Sequence, residues 1–253
     1  WITKNGFEVI QVLNLRSNAY LILKDNVAIL IDTGRKSAFQ TLTKNIRHLD
    51  LKFEQISFLI LTHTHYDHCQ SAKYFKDISG CKIISSNNAA DSVKNGYTVL
   101  PNGSIPITKL ISKLGQLIGK KKFRYEPFIP DILVNSEFKF NVGDSQIIIL
   151  GTPGHSKDSV SIIIDDEIAV VGDVMFGVFK NSIFPPYSDD LIKMIESWGI
   201  LLDTHCQIFL PGHGNEINRN LLKKEYEKYA VKYLKRRSEE RRVGKECRSR
   251  WAP

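Results

Sequence analysis

The sequence predicts an α/β sandwich, two sheets packed together with helices outside. Three observations predict it. Nine apolar, β-branched runs punctuated by turn residues read as strands. The early runs follow one another at hairpin spacing, whereas later ones are separated by helical patterns, a mixture that argues against a uniform parallel sheet. At 253 residues and 42% hydrophobic content, the chain can bury one large core.

FEVIQVL, AYLILKD and VAILIDT open the chain, with Lys24, Asp25 and Asn26 as the turn between the second and third runs. A helical pattern follows over about residues 37–48, then the run ISFLILT, a second helix over about 69–77 and the run KIISS. SQIIILGT, SVSIIID and IAVVGD come next. A helix over about 189–203 has Ser188 and Asp189 as capping candidates, QIFLPG is the last strand, and a helix over about 217–236 completes a single domain, residues 1–236. Residues 87–136 stand apart as an inserted lid or wall segment. Within them Ile107, Leu110, Ile111, Leu114, Leu117 and Ile118 fall on one helical face, followed by a basic cluster of Lys120, Lys121, Lys122 and Arg124. Such a helix is expected to pack its apolar face over the core; the other reading is a helix lying on an anionic membrane.

The formal charge of +8 looks at first like a nucleic-acid footprint. Part of it sits in the terminal stretch RSEERRVGKECRSRWAP, residues 237–253, which has no apolar period. Up to Trp251 this stretch resembles the translation of a sequencing adapter joined to the gene in a shotgun assembly, and it is set apart as a non-native tail. It holds six Lys/Arg and three Asp/Glu, so the remainder carries 29 basic and 24 acidic residues, a charge of +5. No specific nucleic-acid partner is expected from that balance. Outside the tail, Cys69, Cys81 and Cys206 are odd in number and lack CxxC spacing, which excludes a disulfide framework. No run reaches the ~18 apolar residues of a membrane span. The expected location is therefore the cytoplasm, with Trp1 in place of Met leaving a processed or missing leader open.

The chemistry is concentrated in LTHTHYDHCQ, where His63, His65, Asp67 and His68 form an HxHxDH motif just after a strand. Alternating His63 and His65 can converge on one ion, with Asp67 and His68 turned toward a second. Three further candidates sit at strand ends: His155 after IIILGTPG, Asp173 after IAVVG and His213 after IFLPG. Imidazole and carboxylate ligands suit zinc, with iron or manganese possible. His48 and His205 read as surface or packing histidines, and Cys69 as a buried thiol.

HxHxDH, GTPGHS, GD, PGHG and the upstream IDTG together resemble the signature set of the metallo-β-lactamase superfamily, over nearly all of residues 7–215. The resemblance implies a four-layer αββα sandwich and two metal ions. His63, His65 and His155 would hold one ion, Asp67, His68 and His213 the other, and Asp173 would bridge them. Asp32, in IDTG, would support the site without being a ligand. The implied activity is hydrolysis of a carbonyl substrate, a lactone, ester, thioester or β-lactam, by a hydroxide shared between two zinc ions, with Asp67 orienting the attack.

Departures narrow the choice within the family. Glyoxalase II enzymes carry a C-terminal helical domain for which only 23 residues remain between His213 and the tail. Acyl-homoserine lactonases match in size and ligand set but have a tyrosine three residues past the bridging aspartate, where Phe176 stands here. Tyr66, Tyr97 or Tyr187 would have to replace its hydroxyl. Family β-lactamases usually lack the bridging aspartate, so Asp173 argues against a dedicated role in antibiotic degradation, and PGHG disfavours the single-iron persulfide dioxygenases. The alternative reaction is phosphodiester cleavage, as in the family's nucleases, with Lys109 to Arg124 tracking phosphates; a binding module that has lost catalysis is disfavoured by the complete ligand set.

Overall fold

The computed structural model describes residues 1–14, 16–118 and 121–249, with 235–249 described by their backbone. Strands β1 (Glu8–Asn14), β2 (Asn18–Lys24) and β3 (Val27–Ile31) form an antiparallel meander. Helix α1 (Phe39–Arg47) then crosses to β4 (Ile56–Ile60), which lies parallel to β3. Two short helices, α2 (Tyr66–Cys69) and α3 (Ala72–Ser79), lead to β5 (Lys82–Ser86). After α4 (Ala90–Asn95) and α5 (Pro106–Ile118), β6 (Ile132–Val134) closes a six-stranded sheet in chain order. The second sheet holds β7 (Glu137–Val142), β8 (Ser145–Gly151), β9 (Val160–Ile164) and β10 (Ile168–Gly172) as antiparallel neighbours. After α6 (Leu191–Asp203), β11 (Ile208–Pro211) joins it parallel to β10, β12 (Ile217–Asn218) borders β11, and α7 (Arg219–Ser249) follows.

The layers follow from the two-residue period of strands whose two faces are both covered. Tyr20, Ile22, Ile29, Ile31, Ile60 and Ile84 face the other sheet and meet Ile147, Ile149, Ile162, Ile164 and Val170. Their neighbours Leu21, Leu30, Leu59 and Ile83 point away from that interface and pack against Leu42 and Ile46 of α1 and Phe75 of α3. On the far side of the second sheet, Ile163, Ala169, Val171 and Phe209 meet Met194, Trp198 and Leu201 of α6 and Leu222 of α7. This is the αββα sandwich that the sequence predicts.

Several particulars depart from expectation. The structure adds β6, β7 and β12, and β6 returns residues 132–134 of the expected insertion to the first sheet. Helix α6 starts two residues later than expected, and its cap is Asp190, whose carboxylate accepts from the Ile192 and Lys193 amides at 3.1 and 3.0 Å. Ser188 instead donates to the Gly154 carbonyl, and Asp189 accepts from the Asn102 amide. The tail set apart for its lack of period is helical as far as Ser249, because Arg, Glu and Lys favour helix without any apolar stripe; residues 250–253 lie outside the described residues.

The largest departure is α5. Its packed side consists of Thr108, Ser112 and Gln116, whose side chains bond the carbonyls of Pro186, Pro101 and Leu100 at 2.7, 2.6 and 2.9 Å. Ile107, Leu110, Ile111, Leu114 and Leu117 are exposed. The expected packing of the apolar face over the core is thus inverted. Small hydroxyl-bearing residues let the helix backbone approach the Leu100–Pro101 loop closely, and a row of leucines on that side would not. Lys120 and the Ile118 side chain lie outside the described residues.

Candidate metal centre

All seven predicted ligands gather at one rim, beyond the C-terminal ends of β4, β8, β10 and β11, where ligands bind in α/β sheets. Beyond β4 the chain bends at Thr62, and His63 and His65 follow in the loop before α2, which carries Asp67 and His68. His63, His65, His68, His155 and Asp173 are buried, whereas Asp67 and His213 are partly open to solvent.

Three overlapping groups have potential ligand atoms within 4.8 Å of one another: His63, His65 and His155; His63, His68 and Asp173; and Asp67, His68 and His213. Asp173 stands between them. Its Oδ2 lies 3.2 Å from His213 Nε2, 3.5 Å from His155 Nε2 and 4.0 Å from His63 Nε2, and its Oδ1 lies 3.3 Å from His68 Nε2. On the first side His65 Nδ1 and His155 Nε2 are 2.9 Å apart; on the second, His213 Nε2 is 3.7 Å from Asp67 Oδ2.

The surroundings aim these rings. His155 Nδ1 lies 3.0 Å from the Tyr187 carbonyl, an acceptor only, which fixes the ring proton there and leaves Nε2 a lone pair. His63 Nδ1 meets Thr62 Oγ1 at 3.1 Å. Asp32 accepts from His68 Nδ1 at 2.9 Å, from Thr62 Oγ1 at 2.7 Å and from the Thr62 amide at 2.8 Å. Among the described residues it hydrogen-bonds no other predicted ligand, so it positions His68 through the ring's far nitrogen. Asp32 holds a φ of +60°, an uncommon conformation for a residue with a Cβ and one that aspartate tolerates better than most. Gly212 is required by proximity, since a Cβ there would stand 2.2 Å from Asp173 Oδ1 and 2.6 Å from the His68 ring.

Electrostatics divide the cluster in two. Burial holds His63 well below its ordinary pKa, lowers His65 and brings His155 down to about 4, so all three are neutral and available as ligands at pH 7. For His68 and His213 burial acts in the same direction, but the Asp173 carboxylate outweighs it and raises both, with Asp32 adding to the effect at His68. Burial alone would raise Asp173, yet His213, His68 and His155 hold it well below the usual carboxylate range.

A metal fits this donor set. His63 Nε2, His65 Nε2 and Asp173 Oδ1 are buried without an aligned hydrogen-bond partner, an arrangement costly for polar atoms unless something else satisfies them. Imidazole nitrogens converging on a buried carboxylate make a site for a borderline transition metal.

The cluster floors a cavity of about 480 Å³. Its walls include Tyr66, Phe176, Tyr187 and Ile111 of the apolar face of α5, and also Arg16, Arg35, Leu100 and Phe123, which carry no motif in the sequence. Arg35 follows IDTG directly and was the more discoverable of the two arginines; Arg16 comes from an irregular turn. Phe176 stacks on the His213 ring, centroids 5.0 Å apart and planes 14° apart, covering a ligand face where the lactonase pattern has a hydroxyl. Tyr66 accepts from Arg35 at 2.6 Å. Tyr187 reaches the wall and Tyr97 is not part of it. His48 and His205 are exposed, and Cys69 is buried with its thiol against the Thr64 carbonyl.

Fold and cluster together define a metal-dependent hydrolase framework. The model of the metallo-beta-lactamase superfamily matches residues 13–213, and the chain belongs to that superfamily. A probable metallo-hydrolase of Methanocaldococcus jannaschii is 28% identical over 203 residues, covering 78% of this chain and 87% of that protein. A beta-lactamase-like protein 2 homolog of Drosophila melanogaster is 28% identical over 210 residues, 83% of this chain and 62% of that protein. Among solved structures, a Cronobacter sakazakii metallo-beta-lactamase aligns with a TM-score of 0.67 at 16% identity, covering 92% of each chain. The GOB-18 metallo-beta-lactamase of Elizabethkingia meningoseptica gives 0.64 at 22% identity, again covering 92% of each. These structural likenesses concern the fold.

Proposed function

We propose that the protein is a binuclear, zinc-dependent hydrolase of a small carbonyl substrate, with iron or manganese as the other candidate metals. The observation that carries this is the position of Asp173, within 3.2 to 4.0 Å of ligand nitrogens from both sides of the cluster. His63, His65 and His155 would hold one ion and Asp67, His68 and His213 the other, with Asp173 common to both. A pair of ions held there supplies a nucleophile at neutral pH and a Lewis acid for the carbonyl.

The chain's own residues do the rest. Asp67, partly open to the cavity, would orient the attacking hydroxide. Asp32 and the Tyr187 carbonyl hold His68 and His155 in their ligating orientations. Phe176, Phe123 and Leu100 exclude water from one part of the wall. Arg16 and Arg35 put positive charge on another part, and neither is within ion-pair distance of a carboxylate among the described residues. An ester, lactone or thioester carrying its own carboxylate is therefore favoured over a neutral one. Those same arginines are the observation that favours the second reading, a phosphodiesterase.

The test is proton release by a zinc-loaded preparation against a lactone, a thioester, a cephalosporin and a phosphodiester, each repeated with chelator. Chelator-sensitive turnover of a carbonyl substrate supports the reading. Turnover of the phosphodiester alone moves the protein to the nuclease class, and no turnover with any substrate or metal contradicts catalysis.

A further inference from the structure

We propose that the outward face of α5 docks the mouth of the metal cavity against an anionic lipid bilayer. This does not depend on the hydrolase reading, because docking is read without turnover. Five large apolar side chains on that face are exposed among the described residues, Leu117 at 80%, Ile107 at 65%, Leu110 at 61%, Ile111 at 51% and Leu114 at 49%. Scattered exposed leucines need no explanation, but a contiguous stripe on one helix does. The stripe is also not a packing face waiting for its own fold, since α5 is already fixed to the body by Thr108, Ser112 and Gln116 on its other side.

Charge selects the occupant. Between Asp91 and Glu126 the chain has seven basic residues and no acidic one. Lys109 and Lys113 follow the apolar stripe around the helix, and Lys121, Lys122 and Arg124 lie just beyond its end, all exposed. Apolar side chains beside a row of cations match an interface where acyl chains lie beneath anionic headgroups. A second copy of the chain docked by this face through a two-fold axis would set these cations against their own counterparts. Lipid presents the opposite charge and also covers the leucines.

The placement bears on access to the site. Ile111 belongs to both the exposed stripe and the cavity wall, and Ser112 and Gly115, on the neighbouring side of the same helix, line the cavity as well. A bilayer on the stripe therefore meets the rim of the cavity, and an amphiphile can pass from one to the other along α5. No helix among the described residues is long and apolar enough to cross a membrane, so the contact is peripheral.

The experiment is co-sedimentation of the full chain with large vesicles, phosphatidylglycerol mixed into phosphatidylcholine in one arm and pure phosphatidylcholine in the other, at low and high salt. Binding is expected in the anionic arm, weaker in the neutral arm and weakened by salt. Leu114→Asp should lower the partition coefficient roughly tenfold or more, and Lys109→Gln with Lys113→Gln by a comparable factor. None of these three positions lines the cavity, and circular dichroism melting of each variant confirms the fold; Leu117→Ser serves as a second apolar variant. Failure of the wild type to bind anionic vesicles overturns the proposal, and so does equal binding by wild type and both apolar variants. A solution dimer dissolved by Leu114→Asp, without vesicle binding, assigns the face to a second copy and also overturns it.

Discussion

The metal rim and helix α5 both announce themselves in the sequence by a dense pattern, and they illustrate different kinds of information. HxHxDH is made of residues that must be satisfied by one another or by an ion once buried. Knowing that they are inside says where they point, and the structure brings all seven candidate ligands to one place. The α5 stripe carries no such internal partner. An amphipathic period establishes that the helix has an apolar face but leaves open what covers it. Here the body of the protein takes the hydroxyl-bearing side, and the leucines face outward.

The largest expected effect breaks the rim at its centre. Asp173→Ala should cost more activity and bound metal than the roughly 10–100-fold typical of losing an outer partner of a ligand, checked by kcat/KM and by metal content after dialysis. Gly212→Val comes next. It drives a side chain into Asp173 and His68 and should abolish most metal binding with the circular dichroism spectrum retained. Asp32→Ala removes the acceptor at His68 Nδ1 and should weaken metal affinity about 10–100-fold. Asp32→Asn keeps an acceptor oxygen and the tolerated backbone conformation, and should recover part of that loss in a metal titration.

On the α5 side the predicted effect is the smallest. Leu114→Ser should change the unfolding free energy by no more than about 0.5 kcal/mol, as for other exposed positions. Phe75→Ala, beneath the first sheet, should cost about 3–5 kcal/mol, so denaturant melts of the two variants sharpen the contrast. A large destabilisation by Leu114→Ser would show that the stripe is packed after all.

Much of the fold was legible because its strands are buried on both faces and read as continuous runs of Ile, Val and Leu. What escaped was short or lay at the edge of a sheet. Ile132–Val134 and Ile217–Asn218 are too brief to show a period, and Glu137–Val142 alternates polar and apolar residues at the edge of the second sheet. At the site, the candidate ligands that gather at the rim were legible through the HxHxDH spacing and through strand ends, and Asp32 through its place in IDTG. Arg16, Phe123 and Leu100 were not, because loops without periodicity bring them to the cavity wall, where only tertiary structure makes them neighbours. The cap of α6, Asp190, lies one residue beyond the two expected candidates, Ser188 and Asp189, because all three neighbours have capping side chains.

The central claim is that this rim holds a pair of ions sharing Asp173. The most direct measurement is metal content of the zinc-loaded, dialysed protein, taken for the wild type and for His63→Ala and His213→Ala. The account predicts two zinc ions per chain in the wild type and a loss in each variant. A wild type that retains no zinc, or variants that retain the full complement, would contradict it.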